Sequence, residues 1–396
     1  MTATGPWLRL AALAGAVGTA LVVVSGGLHL GVAHRVLVAL ALPPLVALVL
    51  AGRYAHPRLL RPAAAALGLM LAASALGLVA PGLHAAVAAL AFAATLVTAA
   101  ACHGGEPLPS GPWRDYVALT KPRIMSLLLL TAAAGMFAGA GGVPDLGKLA
   151  ALLAGGALAS GGASALNHLL DADLDARMGG RTAGRPVVSG RVPPARALEF
   201  GLVLSAFSFV LLASAINVLT AVLAAVGNLG YVLVYTRWLK RTTPQNIVIG
   251  GAAGAVPPLV GWAAARGDLT LPALFLFAIV FFWTPPHFWA LALLIKRDYA
   301  AAGVPMLPVV RGDAETARQI VRYSLVLTGV TALPFAWRAA GPAYLAVALA
   351  LDACLVALAV RLWRGVTPAR ASRLFHFSLL YLALLFVALA VDPVIS

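Results

Sequence analysis

The sequence predicts an all-α integral membrane protein, and three observations lead there. Of 396 residues, 62% are hydrophobic and only 10% are charged, with a mean hydropathy of +0.95. The apolar residues gather in repeated uninterrupted stretches, each long enough to cross a hydrocarbon core of about 30 Å as a helix of roughly 17–25 residues. These stretches also lack the period-two alternation of a membrane strand. In lipid every backbone polar group must be satisfied internally, so helices follow and a barrel does not.

Taken in order, the apolar stretches predict about thirteen spans. The first four lie near residues 8–28, 32–51, 63–80 and 84–101. The first is long and has no clear small-residue cleavage site, so it reads as a retained helix and not a signal peptide. Nine more follow near 124–142, 149–170, 198–215, 218–236, 247–264, 271–294, 320–338, 343–362 and 374–392. Between the two groups stands HGGEPLPSGPWRDYVALTKP at 103–122, the least hydrophobic break in the chain. Its glycine, proline and charge mark a boundary between an amino-terminal segment, 1–105, and a larger domain, 113–396.

The net charge of +15 would suggest nucleic acid in a soluble protein. Here the basic residues sit in short loops between apolar stretches, so no nucleic-acid partner is expected and the charge reports orientation in the lipid bilayer. One set of alternate loops is rich: Arg53, Arg58 and Arg61; Arg114, Lys121 and Arg123; Arg177, Arg181, Arg185, Arg191 and Arg196; Arg237, Lys240 and Arg241. It continues through Lys296, Arg297, Arg311, Arg318 and Arg322 to Arg361, Arg364, Arg370 and Arg373. The opposite set holds little beyond Arg35, Lys148, Arg266 and Arg338. The rich face belongs in the cytoplasm, which puts the N-terminus inside and the C-terminus outside and requires an odd number of spans. An inner (plasma) membrane location follows. The loops near 171–197, 237–246 and 295–318 then share the cytoplasmic face, where one site could draw on all three. Cys102 and Cys354 are far apart and form neither a disulfide framework nor a metal-ligand spacing.

Asn167, Asp171 and Asp175 recur at i, i+4 and i+8 where the sixth span meets that face, so a helix would line them along one side. Asp173 falls off the row and is expected to pair with neighbouring arginines. An Asp buried near the bilayer centre costs roughly 2.5–3.5 kcal/mol, so acids in such a span usually have a partner. Hard oxygen ligands in this arrangement suit magnesium, which bridges carboxylates to substrate phosphates. Arg177, Arg181 and Arg185 follow and could clamp phosphate oxygens.

The segment NHLLDADLDARMGGRTAGRPVVSGRV resembles the first aspartate motif of the intramembrane (UbiA-type) prenyltransferases. Three further stretches, DYVALTKPRIMSLLLLT, YTRWLKRTTPQNIVIGGAAGAVPPLVGW and WTPPHFWALALLIKRDYAAAGVPMLPVV, resemble the protoheme IX farnesyltransferase branch, which makes heme O. The resemblance covers about residues 113–392. It implies a nine-helix prenyltransferase bundle, here preceded by about four extra transmembrane helices. It also implies farnesyl diphosphate as donor, protoheme IX (heme B) as acceptor and Mg2+ as cofactor. Asn167, Asp171 and Asp175 would position magnesium, with Asp171 and Asp175 as ligands, while Arg181, Arg185, Lys240 and Arg241 would neutralise the leaving diphosphate.

His287 follows Trp283-Thr284-Pro285-Pro286 about two turns inside its span, where adjacent prolines are expected to disturb the helix. It could meet heme iron or a propionate, stabilise a cation at the vinyl carbon, or satisfy carbonyls freed by the prolines. The wider superfamily carries a second multi-aspartate motif. This chain has Lys296-Arg297-Asp298-Tyr299 at that place, with one acid and Asp313 more distant, so a second fully ligated magnesium is not expected. Lys296 and Arg297 would suit propionates or phosphate. Asn246 is a further polar candidate for substrate contact.

In the amino-terminal segment, His34 and His84 open alternate spans on the same outer face and could bind one heme axially. AHRVLVALAL and LHAAVAALAFAATL resemble ligand-bearing helices of one half of heme A synthase. A bound heme, or docking of a heme A synthase, is the expectation there. Two other functions compete for the whole chain. One is a UbiA-type transferase acting on a quinone or phenolic ring, which PPHFW and KRDY disfavour. The other is a transporter or heme carrier with helices broken at Pro257-Pro258 and Pro285-Pro286.

Overall fold

The computed structural model describes residues 113–395 continuously and, before them, 11–19, 41–50, 57–79 and positions 22, 38, 91, 94 and 95. Among the described residues there is no strand, and nine long helices follow residue 120. They are α1 Pro122–Ala140, α2 Leu146–Leu170, α3 Pro194–Ala215, α4 Val218–Thr242 and α5 Asn246–Arg266. Then come α6 Leu271–Leu294, α7 Leu307–Thr331, α8 Pro342–Trp363 and α9 Pro368–Ile395. Eight of the nine are long and apolar enough to cross a membrane, and the chain is a multi-pass integral membrane protein. The exception is α7, whose first half carries Arg311, Asp313, Glu315 and Arg318, with Arg322 one turn further on.

The expected spans agree with these helices within a few residues except at α4, α7 and α9, the last beginning at Pro368, six residues before the expected 374. The span expected near 320–338 is the apolar half of a helix that begins at Leu307 and ends at Thr331. Hydropathy misses its charged start, which is bent at Gly312 (φ 81°) where the backbone leaves the helical region. α4 runs past the expected residue 236 to Thr242. Its second half, Gly230–Leu239, is wound as a π-helix, a rare geometry that occurs mostly at functional sites. α5 breaks between Gly254 and Pro257, as its paired prolines require. α6, by contrast, runs unbroken through Pro285 and Pro286, so the disturbance expected there is absorbed without ending the helix.

Close approach of backbones sets the packing. α1 lies against α5, α2 against α3, and α6 against both α7 and α9. A methyl group at Gly261 would collide with the carbonyl of Ala132, and one at Gly162 with Ser205 and the carbonyl of Gly201. Lipid offers no hydrophobic drive between helices, so small residues that admit dense contact take that role. The far half of the bundle is sewn together by a buried polar knot. Asp352 of α8 accepts from Thr331 Oγ1 of α7 (2.7 Å) and from Tyr381 Oη of α9 (2.6 Å). Tyr344 Oη donates to the Thr331 carbonyl at 2.8 Å. The described amino-terminal residues form a core of their own, with Leu45, Leu48, Ala63, Ala66 and Met70 packed together.

Candidate active site

α2 ends at Leu170, and Asp171 adopts a non-helical turn (φ −94°, ψ 2°) before the short helix Ala172–Arg177. The acidic row is therefore not one continuous helix, as its spacing predicted. The break nonetheless keeps the row together: Asn167 Nδ2 donates to Asp171 Oδ2 at 2.8 Å and to Thr236 Oγ1 at 3.1 Å. Thr236 lies in the π-wound part of α4. Asn167, Asp171 and Asp175 are all buried, each with at most 3% of its surface exposed.

Three cations close on this row from three parts of the chain. Lys240 Nζ of α4 meets Asp171 Oδ2 at 2.5 Å, and Arg185 Nη1 meets Asp175 Oδ2 at 2.5 Å. Lys121, just before α1, donates to Asn167 Oδ1 at 2.8 Å. Its backbone is left-handed (φ 50°, ψ 62°), a conformation that costs a non-glycine residue about 1–3 kcal/mol and that surrounding structure must impose. Burial, then the charges of Arg185 and Lys240, push the Lys121 ammonium down to about 7. Two buried carboxylates thus face Arg185, Lys240 and a lysine that is about half charged near neutrality. An anion arriving in the cradle would draw Lys121 into its charged form and meet a positive surplus.

The rim is arranged by further ion pairs. Arg241 grips Asp173 through Nη1 and Nη2 at 2.8 and 2.7 Å, and its Nη2 also bonds the Leu170 carbonyl at 2.6 Å. Arg177 joins the same carboxylate at 2.9 Å. The Arg241 bonds hold the Asp173 carboxyl well below the usual carboxylate range, so Asp173 lies off the row as expected. Arg181 reaches Asp298 at 3.4 Å, which joins the 171–197 loop to the helix Lys296–Ala301. The three loops expected to share one face do meet at one end of the bundle. Tyr299 stands close enough for Arg185 and Asp171 to act on it, and burial raises its phenol to about 12.

Not every candidate joins this cluster. Lys296 pairs with Asp313 at 2.8 Å, and Arg297 is exposed. Asn246 is fully buried beside α4, with Nδ2 on the Thr243 carbonyl (2.7 Å) and Oδ1 unpartnered. His287 is elsewhere, in an aromatic environment. Its ring stacks between Trp283 (4.3 Å) and Phe375 (4.9 Å), and Nδ1 lies 2.7 Å from Ser378 Oγ. The option that it satisfies carbonyls freed by the prolines is therefore overturned. His34 and His84 lie outside the described residues.

Sequence reasoning missed Lys121 as a site residue, counting it only for orientation. It also missed Thr236, the stacked pair Tyr231 and Tyr235 (5.6 Å) and His168, whose buried ring nitrogens have no partner. The KPRIM stretch carried the signal for Lys121. Thr236 and the tyrosines become neighbours of the row only through the π-wound segment.

The residues also fit a magnesium ion. Asp171 Oδ1 is buried without a hydrogen-bond partner, with Arg241 Nη2 4.0 Å away. Among the described residues no three His, Cys, Asp or Glu side chains converge on one point. Two carboxylates are the usual protein share for magnesium, the rest coming from water and substrate phosphate.

The model of the UbiA prenyltransferase family matches residues 128–386. A protoheme IX farnesyltransferase of Roseiflexus sp. (strain RS-1) is 52% identical over 282 residues, covering 71% of this chain and 53% of its own length. One from Thermus thermophilus is 51% identical over 293 residues, covering 73% of this chain and 48% of its own. The chain thus spans about half the length of these curated relatives. A shorter relative of the same name, from Symbiobacterium thermophilum, is 52% identical over 281 residues and is matched along 94% of its length. Among solved structures, digeranylgeranylglyceryl phosphate synthase superposes with a TM-score of 0.61 at 17% identity, covering 72% of this chain and 99% of that one. A UbiA homolog from Archaeoglobus fulgidus bound to GPP and Mg2+ gives 0.54 at 20% identity, covering 69% and 99%. These likenesses concern the fold. Together with the family match over 128–386 and the near full-length relative, they leave one conclusion: the chain belongs to the UbiA prenyltransferase family.

Proposed function

We propose that this chain transfers a farnesyl group from farnesyl diphosphate to a vinyl group of protoheme IX (heme B), with addition of water, giving heme O and diphosphate. The observation that carries the reading is the buried Asn167–Asp171–Asp175 row, ringed by more cations than it neutralises. The name shared by relatives about half identical to the chain supports the acceptor.

The chemistry divides between two regions. Lys121, Arg185 and Lys240 would turn from the protein's own oxygens to the diphosphate, with Arg181 and Arg241 at the rim. Preorganised charges of this kind stabilise negative charge as it develops. Asp171 and Asp175 would hold magnesium, which when bound supplies further charge neutralisation on the phosphate oxygens. The allylic C–O bond breaks and its electron pair leaves with diphosphate. The vinyl π electrons then bond to the allylic carbon, and water adds at the remaining cationic carbon and loses a proton. A low-dielectric bundle that excludes bulk water protects the allylic cation from hydrolysis.

Two further proposals concern the setting. The basic face would be cytoplasmic in a plasma (inner) membrane, with the site opening there and the N-terminus inside. Residues 1–105 would form a separate membrane segment from the transferase domain at 113–396. His34 and His84 would bind a heme there, or the segment would dock a heme A synthase. The core shared by Leu45, Leu48, Ala63 and Met70 supports a self-contained segment. In the full-length protein, His34→Ala and His84→Ala should each remove one low-spin heme band. Unchanged spectra in both would oppose heme ligation.

The function is tested by incubating purified protein with heme B, magnesium and farnesyl diphosphate and weighing the heme by mass spectrometry. A farnesyl-plus-water increment is expected. Unaltered heme, from protein that binds both substrates, would overturn the reading.

A further inference from the structure

His287 of α6 and Ser378 of α9 form a second polar site in an otherwise aromatic part of the bundle. Among the described residues, the His287 ring contacts Ser378, Trp283, Phe288 and Phe375, and no ion pair or hydrogen bond ties it to the charged side chains of the diphosphate cradle.

Ser378 is tied to α6 twice, by residues one helical turn apart. Trp283 Nε1 donates to the Ser378 carbonyl at 2.8 Å, while Ser378 Oγ lies 2.7 Å from His287 Nδ1. The same Oγ lies 2.7 Å from the Phe375 carbonyl, which can only accept. A hydroxyl has one proton to donate. Both contacts are hydrogen bonds at once only if that proton goes to the Phe375 carbonyl and Ser378 Oγ accepts from His287 Nδ1–H. The network therefore selects the Nδ1–H tautomer, which leaves Nε2 with its lone pair free. No group among the described residues bonds Nε2. Stacking by Trp283 and Phe375 on the two faces fixes the ring plane.

A neutral imidazole held through its other N–H is the usual form of a metal-binding histidine, with ring orientation set by that outer bond. We propose that Ser378 is a positioning residue for the acceptor. It locks His287 in the Nδ1–H tautomer so that the Nε2 lone pair meets the iron of an incoming porphyrin. This rests on the reading of heme as acceptor.

The test is a titration of the full-length protein, in detergent or nanodiscs, with heme B, followed by absorption and by steady-state kinetics for both substrates. To remove any band from the amino-terminal segment, all variants carry His34→Ala and His84→Ala; in that background the parent should show an imidazole-ligated heme band, and His287→Ala should lose it. Ser378→Ala should weaken heme B binding by about ten- to a hundredfold, the usual effect of removing an outer partner of a metal ligand. Its KM for farnesyl diphosphate should not change. Ser378→Thr, which keeps the hydroxyl, should restore the band. If Ser378→Ala does not fold, Ser378→Cys replaces it: a thiol of similar size accepts weakly, and the same heme-specific loss is expected. A heme band and affinity unchanged in His287→Ala, or in Ser378→Ala or its cysteine substitute, would overturn the proposal. Turnover by the wild type alongside such a result would leave the farnesyl transfer itself standing. Absence of both heme binding and turnover in the wild type would instead overturn the transferase reading.

Discussion

Replacing Asp171 by asparagine separates the chemical role of the acidic row from its structural one. The substitution keeps size and shape. An amide oxygen can still accept from Asn167 Nδ2 and Lys240, both now on Asp171 Oδ2. The new amide nitrogen would occupy the place of Oδ1, which has no hydrogen-bond partner, so no existing bond is sacrificed. What disappears is one charge opposite Lys240. A hydrogen bond to a charged group contributes about 1.5–3 kcal/mol and a neutral one about 0.5–1.5, so the fold should lose about 1–2 kcal/mol. Catalysis should lose more. Asp171 would act on the leaving diphosphate through the magnesium it holds, and removing one preorganised stabiliser of a developing anion typically costs about 10²–10³ in kcat, or roughly 2.7–4 kcal/mol. Asp171→Asn should therefore remain folded by thermal melting while turnover of heme B falls at least about a hundredfold. Asp173→Asn is the matched control: it is half exposed, lies at the rim, and should cost at most a few-fold. Mass-resolved farnesylation assays on both variants decide it. Asp171→Asn within threefold of wild type, or Asp173→Asn equally disabled, would refute the assignment of the row.

Further outcomes follow from the same geometry. Lys121→Met should raise the KM for farnesyl diphosphate while leaving the heme B KM unchanged, read from steady-state kinetics; equal changes in both would remove Lys121 from the diphosphate cradle. Chelation of divalent ions should abolish turnover and added magnesium restore it, because Asp171 Oδ1 has no protein hydrogen-bond partner; activity that survives exhaustive chelation would contradict this. Gly261→Val should prevent the approach of α1 and α5 and yield aggregated protein by size exclusion, since its side chain would overlap the Ala132 carbonyl; a monodisperse, active variant would show that the crossing is compliant. Asp352→Ala leaves the hydroxyls of Thr331 and Tyr381 without their shared acceptor and should destabilise the fold by about 2–6 kcal/mol, at about 1–3 per unsatisfied group; an unchanged melting temperature would show that water replaces it.

Hydropathy made the helices legible because in lipid a run of apolar residues has one structural outcome. α6 was predicted to the residue, 271–294, since both ends are set by abrupt changes in polarity. α7 was misplaced for the converse reason. Its first half is amphipathic, and a length-and-apolarity criterion sees only the lipid-facing half. The Asn167–Asp171–Asp175 row was visible because spacing is local. The turn at Asp171 was not, because it is the tertiary pull of Lys240 and Arg241 that accompanies the break between α2 and the helix Ala172–Arg177.

Partners far apart in sequence explain the remaining misses. Lys121 and Asn167 are 46 positions apart, and Asn167 and Thr236 are 69 apart, so no local pattern ties them. Their convergence depends on two unusual backbone states, the left-handed Lys121 and the π-wound stretch of α4. A π turn holds an extra residue per repeat and so shifts which side chains face inward. An α-helical projection of residues 230–239 therefore cannot show which of Tyr231, Tyr235 and Thr236 turn toward the row. Where the chain departs from regular helix, it does so beside the groups it must bring together. For a family whose likeness to known structures falls to 17–20% identity, these irregularities sharpen the site more than the shared bundle does. They single out Lys121 and Thr236, which together with Asp171 hold Asn167, as parts of the cradle that motif spacing alone would leave out.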